Sequence, residues 1–388
     1  MPLVNDRTIE SLQLIPGLRE HILQYSVPLK HIPVSIISRA DLSDQMAFFL
    51  EQKYGHRVQY SEGAGNVDFD TKTVTTTKGR KISYDLLVAC DGVHSPIRRQ
   101  LHIQRSLHVE HYTNTVQWKA IYLPPSNLIP PNASIPLQHK SLAGGRILPR
   151  YPKGHVILLF WRNLEYVNPG NVTNVQEVKD LLQTAMAGQE RSFIKALLPK
   201  HRRRHETASS VCLAETSIVW DEQSLQSFLE SKPGRSHHII VDRYHDNNGV
   251  ALVGDAAHGM SSLLGQGCAT GLKSARFLVE SLSKTSKETA NESTAQGLAQ
   301  ALQRYTDLAL PEARAITELN LVGDTRHSWW GGPLSLAILS WQSLRKRSLI
   351  SRLSDTSVSY QQLLQENRWV VTIGKQQWKK FRIPVSES

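Results

Sequence analysis

Two glycine-containing motifs in the second half of the chain carry the residues best suited to chemistry. Residues 250–258 (VALVGDAAH) form an apolar run that reaches Gly254-Asp255, and residues 264–268 (LGQGC) follow shortly afterwards. A strand that ends on a carboxylate places this group at the C-terminal edge of a sheet, where open α/β sheets bind nucleotides. An aspartate there can accept hydrogen bonds from ribose or ribityl hydroxyls, and free N–H groups at a helix start suit a phosphate. The motifs therefore predict a nucleotide-binding edge.

The elements that must position these motifs are predicted from hydrophobic periodicity. In the N-terminal part, helical spacing covers residues 8–24 and 40–54, and strand-like runs cover residues 57–61, 67–69, 73–77 and 84–89. The last run is apolar throughout, which predicts a fully buried strand that leads into Cys90-Asp91-Gly92. A second carboxylate is thus expected at a strand end.

The pattern changes near residue 108 and again near residue 245. Alternating segments at residues 115–123 and 155–161 predict an antiparallel sheet. A helix is predicted over 173–200, strands over 216–220 and 239–241, and a mostly helical tail from residue 297. This order predicts a nucleotide-binding domain that is interrupted by an inserted sheet.

Composition limits the classes of protein. The 388 residues carry a formal charge of +11, with 40% hydrophobic and 20% charged residues, which is typical of a folded protein of two or three packed units. No nucleic-acid motif accompanies the basic runs, so an anionic small molecule is the expected partner. The three cysteines lack metal-ligand spacing, and no metal site is predicted. The N-terminus has no secretory pattern, which predicts a cytoplasmic protein.

Four segments in this order resemble the FAD-dependent aromatic hydroxylases, the single-component flavin monooxygenases. They are Ser38–Leu42, Asp85–Ser95 with Arg98, Gly254–His258 and Gly265–Gly267. The resemblance implies an α/β fold, with an incomplete doubly wound FAD-binding domain, an inserted antiparallel-sheet substrate domain and a helical C-terminal tail. The expected parts are the FAD-binding domain at 1–107 and 245–330, the substrate sheet at 108–244 and the helical segment at 331–388.

The resemblance also implies which residues bind the cofactor FAD: Arg39, Asp91, Gly92, Asp255, Gly265, Gln266, Gly267 and Cys268. Asp255 would bind the ribityl side, Asp91-Gly92 would serve FAD packing and NAD(P)H use, and the backbone of 265–268 would cover the pyrophosphate. A surface pairing role for Arg39 and a turn role for Asp91 stay open. His258 is expected to be packed, and no catalytic side chain is assigned because the cofactor carries the chemistry. Aromatic residues of the inserted sheet could line the substrate, although all are expected to be core first: Trp118, Tyr122, Phe160 and Trp161.

Two departures from the family weaken the expected FAD site. The chain contains no Gly-x-Gly-x-x-Gly fingerprint, so the first strand–turn–helix unit of the family is expected to be absent. Losing several backbone hydrogen bonds there would weaken FAD binding by roughly 100-fold or more, and it would split the sheet. Where the family has Pro, Asn and an acidic pair, this chain has Ser262, Ala269, Lys273 and Ser274.

The leading hypothesis is an FAD-dependent monooxygenase that uses NAD(P)H and O2 to hydroxylate or epoxidise an aromatic or conjugated small molecule, with specialised metabolism as one expected setting. The first alternative is a degenerate or truncated, non-catalytic member of the same family with weak or no FAD binding. The second is an anion- or membrane-surface binding protein. It would use a peripheral contact at the C-terminus, where an apolar stretch at 329–344 precedes Arg345-Lys-Arg347.

Overall fold

The computed structural model describes residues 3–30, 34–55, 61–125, 129–137, 144–161, 172–187, 220–288, 294–325, 349–379 and 382–386. The chain divides into two compact units. Unit 1 is built mainly from residues 20–45 and 115–235, and unit 2 from residues 2–19, 46–114 and 236–388. The domain boundaries expected from the sequence stay predictions.

In chain order the described strands are β1 (Leu3–Val4), β2 (Val27–Pro28), β3 (Ser35–Ile36), β4 (Ala64–Asp68), β5 (Thr73–Thr76), β6 (Lys81–Ser83), β7 (Leu87–Ala89), β8 (Val109–Leu123), β9 (Ile135–Leu137), β10 (Gly144–Pro149), β11 (His155–Trp161), β12 (Gly234–Val241), β13 (His245–Asp246), β14 (Val250–Leu252) and β15 (Arg382–Pro384). The described helices are α1 (Asp6–Leu12), α2 (Leu18–Gln24), α3 (Arg39–Tyr54), α4 (Pro96–Arg105), α5 (Val175–Ala187), α6 (Glu222–Glu230), α7 (Asp255–His258), α8 (Gly267–Glu288), α9 (Thr294–Thr325), α10 (Leu349–Leu353), α11 (Tyr360–Glu366) and α12 (Arg368–Trp378).

Unit 2 is centred on a small sheet that holds both predicted carboxylate-bearing strands. Strand β14 lies between β7 and β13, parallel to β7 and antiparallel to β13. Its three residues are fully buried, and they pack with side chains of α4, α8 and α9 in one apolar cluster. The sequence prediction of a buried strand before Gly254-Asp255 is confirmed.

The prediction of a fully buried strand over residues 84–89 is wrong. Strand β7 covers only Leu87–Ala89, and Val88 is 40% exposed. The physical reason is position in the sheet, because β7 is at the edge of the sheet formed by the described strands, in the order β13-β14-β7. An apolar run alone does not distinguish an edge strand from a central one.

Unit 1 contains an antiparallel sheet in the order β8-β11-β10-β9, as the alternating pattern predicted. One face of this sheet carries Trp161, which is fully buried, and packs on helices α5 and α6. The opposite face carries Trp118 and Tyr122, which are 36% and 45% exposed. Trp161 is core as expected, whereas the same expectation for Trp118 and Tyr122 is wrong, because residues of opposite parity point to opposite faces of a strand.

Helices α1, α2 and α3 and strands β4 and β5 lie where the N-terminal patterns placed helices and strands. Several other predictions fall wholly or partly outside the described residues. The run at 57–60, the helix beyond residue 187, the strand at 216–219 and the segment 329–347 lie outside the described part. Among the helices that are described, none is both long enough and apolar enough to cross a bilayer.

Candidate functional site

The carboxyl ends of β7 and β14 bring Asp91 and Asp255 to one edge of the unit 2 sheet. The strands pair in parallel from Leu87 opposite Val250, and the Val253 N–H extends this ladder to the Ala89 carbonyl at 3.0 Å. Asp91 and Asp255 therefore follow neighbouring strands at their C-terminal ends. This is the position at which open α/β sheets bind ligands.

Glycine conformations shape the backbone at this edge. Gly92 has φ +80° and Gly254 has φ +64° with ψ −139°, regions that side-chain-bearing residues rarely adopt. A Cβ on Gly254 would lie 3.9 Å from the Cα of Gly271, so strand end and helix α8 approach each other closely. A Cβ on Gly92 would have no neighbour within 4 Å among the described atoms. Gly254 is thus required by its backbone conformation, whereas Gly92 also leaves open space beside Asp91.

Arg98 connects the loop that follows β7 with the helix that follows β14. Helix α4 begins after Ser95, whose hydroxyl caps the Arg98 N–H at 2.9 Å, and Pro96 follows at the first helical position. The buried Arg98 guanidinium donates to the Ala256 carbonyl at 3.0 Å and to the Val93 carbonyl at 2.8 Å. The same side chain therefore fixes the loop after Asp91 against helix α7, which starts at Asp255.

Asp91 itself is exposed and has a hydrogen bond of its own. One carboxylate oxygen accepts the Ile97 N–H at 3.2 Å, which ties the loop to the first turn of α4. This contact gives Asp91 a structural role at the start of α4, whereas the turn role and the cofactor role that the sequence left open stay predictions. The contact does not occupy both carboxylate oxygens in the contacts described.

The Gly265–Cys268 segment forms the start of helix α8. Gly265 takes a left-handed conformation at φ +67°, and the Gln266 carbonyl accepts both the N–H and the hydroxyl of Thr270, at 2.9 and 2.8 Å. A Cβ on Gly267 would have no neighbour within 4 Å in the described structure. The backbone of Gly267, the first residue of α8, therefore lies beside open space in the described structure.

The Gln266 side chain points into the protein. It is 2% exposed, its amide donates to the Leu264 carbonyl at 3.2 Å, and its Oε1 accepts from Asn5 Nδ2 at 3.3 Å and from the Tyr360 hydroxyl at 2.8 Å. The expected contribution of Gln266 to cofactor binding can come only from its backbone in this arrangement. Its side chain anchors the turn instead.

His258 ends helix α7 and is packed. The side chain is 2% exposed, and neither ring nitrogen has a hydrogen-bond partner among the described residues. Burial lowers the pKa of His258 to about 4. The ring is therefore neutral at pH 7, which agrees with the expectation of a packed residue.

Arg39 and the aromatic face of the inserted sheet belong to unit 1. Arg39 is exposed at the first position of α3, where the Ser38 hydroxyl accepts the Asp41 N–H at 2.9 Å. Its contact with a cofactor stays a prediction. On the exposed sheet face, Trp118 lies opposite Phe160 and covers Gly234, where a Cβ would come within 2.5 Å of the indole.

Sequence reasoning missed a buried polar network around helix α11. The sequence indicated Lys273 and Ser274 only as departures from the family pattern, but both have partners in the structure. Lys273 forms an ion pair with Glu312 at 2.8 Å, and the Ser274 hydroxyl is hydrogen-bonded to the Tyr305 hydroxyl at 2.7 Å. A lysine on one face of a helix and a glutamate in the next helix give a weak sequence signal for such a pair. No signal identified Tyr360.

Comparison with known proteins identifies sequence relatives that are named as monooxygenases. The chain is 24% identical over 308 residues to kynurenine 3-monooxygenase of Neurospora crassa, covering 74% of this chain and 56% of that protein. It is 23% identical to the FAD-dependent monooxygenase ausM of Penicillium brasilianum, covering 72% of this chain and 56% of the relative. The chain thus spans about half the length of the curated relatives it matches.

Solved structures share the fold. The tetrameric form of 2-methyl-3-hydroxypyridine-5-carboxylic acid oxygenase has a TM-score of 0.59 at 16% identity, with 84% of this chain and 79% of that chain covered. The R204Q variant of Klebsiella pneumoniae HpxO, solved with FAD, has a TM-score of 0.59 at 17% identity, covering 92% and 88%. These similarities support the mixed α/β fold with antiparallel sheets and C-terminal helices.

The sequence profile of the FAD binding domain family matches residues 40–319. The match includes both strand ends, the Arg98 contacts and the start of helix α8. Because it covers well over half of the 388 residues, the protein belongs to the FAD binding domain family.

Proposed function

We propose that the protein is an FAD-dependent monooxygenase that uses NAD(P)H and O2 to hydroxylate or epoxidise an aromatic or conjugated small molecule. One observation supports this most directly: Asp91 and Asp255 follow paired parallel strands, and Arg98 fixes their loops to each other. Relatives named as kynurenine 3-monooxygenase and FAD-dependent monooxygenase support the reaction class.

The described residues of unit 2 fit FAD in three respects. Asp255 is half-buried at the end of a buried strand, where a carboxylate can accept hydrogen bonds from ribityl hydroxyls. The positions at which Gly92 and Gly267 would carry a Cβ are open, so a ligand can approach the backbone. The first N–H groups of α8, a helix of 22 residues, can donate to a pyrophosphate.

The protein groups have binding and positioning roles in this proposal. FAD, when bound and reduced by NAD(P)H, would supply the oxygen chemistry, in which one atom of O2 enters the product and the other leaves as water. Asp255 and the backbone of residues 265–268 bind the cofactor, and Asp91-Gly92 line the same edge. Arg39, at the exposed start of α3, is proposed as a further cofactor contact. The neutral His258 is buried behind the end of β14.

The aromatic face of the unit 1 sheet is the proposed substrate surface. Trp118 and Tyr122 are exposed there, Phe160 lies opposite Trp118, and the Arg150 guanidinium stacks over the Tyr122 ring at 4.2 Å. Large aromatic rings favour stacking with a planar ligand. Substrate identity and the choice between NADH and NADPH are not assigned.

The decisive experiment is an absorbance spectrum of the purified chain between about 350 and 500 nm, before and after FAD is added, followed by assays of NAD(P)H oxidation with candidate aromatic substrates. We expect flavin bands and substrate-dependent oxidation. Asp255→Ala should weaken FAD binding by about 10-fold or more, since hydrogen bonds to a charged group are worth about 1.5–3 kcal/mol. Asp307→Ala is the control, because Asp307 is an exposed carboxylate on α9 of the same unit.

A non-catalytic relative is the second candidate, and one structural observation favours it. Lys273 and Ser274, which replace an acidic pair of the family, are both engaged in side-chain contacts within the protein. The same experiment distinguishes the candidates. FAD bands without oxidation on any aromatic substrate would favour the non-catalytic protein, and a colourless chain that takes up no FAD would contradict the monooxygenase.

A further inference from the structure

The turn before helix α8 is anchored by groups far away in sequence. Gln266 supplies the carbonyl that opens the helix, and its side chain is held by Asn5 and by Tyr360, which lies 94 residues further along the chain. All three residues are at most 2% exposed. Any movement of the Gln266 side chain therefore breaks buried hydrogen bonds and shifts the start of α8.

Tyr360 is in turn fixed from two directions. Its ring lies under the Arg7 guanidinium at 4.3 Å, and Arg7 also donates to the carbonyls of Leu353, Asp355 and Val358 in the segment that leads to α11. The Tyr360 N–H donates to Glu312 at 3.3 Å. The position of the hydroxyl is thus determined by contacts that do not involve the turn.

Glu312 connects α11 with α8 through charge. Its carboxylate accepts from Lys273 at 2.8 Å, and from the backbone and side-chain N–H groups of Gln361 at 3.4 and 3.2 Å. Burial opposes ionisation of Glu312, but the hydrogen bond and charge of Lys273 and the hydrogen bonds from Gln361 and Tyr360 together hold the pKa of this carboxyl below its usual value. Glu312 is therefore ionised at neutral pH, and from α9 it contacts both the helix that follows the turn and the helix that carries Tyr360.

We propose that Tyr360 is a positioning residue for the proposed FAD site: its hydroxyl, through Gln266, holds the Gly265–Gly267 turn and the first amides of α8 in the geometry that binds the cofactor. This inference rests on the proposed function for the identity of the ligand. It assigns to the C-terminal helices of unit 2 a role in the cofactor site, beyond that of a packed tail.

The Tyr360 hydroxyl can be tested separately from the packing of the Tyr360 ring. In Tyr360→Phe the ring can keep its place beneath Arg7, and the backbone N–H of residue 360 can keep Glu312. The contacts that are lost are those of the hydroxyl with Gln266 and with Thr270, which lie in the turn and in the first turn of α8. A net hydrogen bond corresponds to a change of about 2- to 10-fold in an equilibrium constant.

Tyr305→Phe provides the matched control. The Tyr305 hydroxyl is also fully buried and donates to the Leu252 carbonyl at 2.7 Å, with Ser274 as its other neighbour. It does not contact the turn in the described structure. Both variants lose one buried tyrosine hydroxyl, so they should lose similar amounts of stability.

The test uses two measurements on the full chain: the FAD Kd from quenching of flavin fluorescence, and hydrogen–deuterium exchange at residues 264–270 without FAD. We expect Tyr360→Phe to raise the FAD Kd by about 2- to 10-fold and to speed exchange at these amides by a similar factor. We expect Tyr305→Phe to change neither by more than about 2-fold.

Each other outcome is decisive. Unchanged Kd and exchange in Tyr360→Phe would overturn the inference, and so would equal changes in both variants, which would indicate general loosening. If the wild-type chain binds no FAD, the proposed function fails on that result. The exchange comparison still decides whether Tyr360 positions the turn.

Discussion

At the scale of single residues, the two positions Gly254 and Gly267 favour glycine for different physical reasons. Both lie at the proposed cofactor edge, where β7 and β14 end and α8 begins. Gly254 combines φ +64° with ψ −139° and lies against Gly271, so its own backbone requires the absence of a side chain. Gly267 has no unusual φ, and a Cβ there would meet nothing within 4 Å of described protein. The first glycine serves the protein, and the second leaves room for a ligand.

We expect Gly254→Ala to lower the free energy of unfolding of the FAD-free protein by about 1–3 kcal/mol, because alanine is strained in this region of backbone conformation. Gly267→Ala should leave that free energy within about 0.5 kcal/mol of wild type and instead raise the FAD Kd by about 10-fold or more. Urea denaturation and FAD titration measure the two quantities. A Gly267→Ala variant that binds FAD normally would contradict the placement of the cofactor beside α8.

His258 gives the edge a pH dependence of stability. Its pKa is about 4 in the folded protein because the ring is fully buried, against about 6.5 when exposed. The unfolded chain therefore takes up a proton first, and folding becomes less favourable as the pH falls from about 6.5 to about 4. The loss from this group is about 3 kcal/mol and stops below pH 4.

We expect His258→Leu to flatten this acid limb, because leucine cannot be protonated and neither ring nitrogen has a described partner to lose. The measurement is the urea midpoint between about pH 4 and pH 7. His108→Gln, at an exposed site, is the matched control. If both variants retain the same slope as wild type, His258 is not the group responsible.

At the scale of elements, the proposed cofactor edge depends on the contacts that Arg98 of α4 makes with α7 and with the loop after β7. The guanidinium reaches the Val93 and Ala256 carbonyls at once, which a single ammonium group cannot reproduce with the same geometry. These contacts set the separation of the loops that carry Asp91 and Asp255. Their removal should therefore affect stability and FAD binding together.

We expect Arg98→Lys to lower the free energy of unfolding by about 2 kcal/mol, since a buried hydrogen bond from a charged group is worth about 1.5–3 kcal/mol. The FAD Kd should rise as well, because the two loops are no longer fixed to each other. Arg99→Lys is the natural control, as Arg99 is exposed on the same helix. Equal stability of the two variants would refute the role assigned to Arg98.

The elements also show what the sequence could predict. Strand β14, the carboxylate that follows it and helix α8 were predicted because local signals coincide there: an apolar run, a glycine and a helix period. The exposed edge of β7 and the parity of Trp118 and Tyr122 were not predicted, because sheet order and register are set by long-range pairing. The contact of Gln266 with Tyr360 joins positions 94 residues apart, and local periodicity contains no information about it.

At the scale of the whole molecule, each compact unit has a core of its own. The unit 1 core is formed by the inner sheet face with α5 and α6 and includes Trp161, and the main core of unit 2 surrounds β14 and includes Leu302. Multidomain chains commonly depart from two-state unfolding. Damage to one core should therefore be visible first in its own unit.

We expect Trp161→Ala, which removes a fully buried indole, to cost unit 1 about 3–5 kcal/mol, and Leu302→Ala to cost unit 2 about 2–5 kcal/mol. Hydrogen–deuterium exchange should rise in β8 and β11 for the first variant and in β7 and β14 for the second. A saturating FAD concentration, about 100 times the Kd, should add about 2.7 kcal/mol of protection around β7 and β14. Equal loosening of both units by both variants would show that the chain unfolds as one cooperative body, and the FAD effect would then be distributed over both cores.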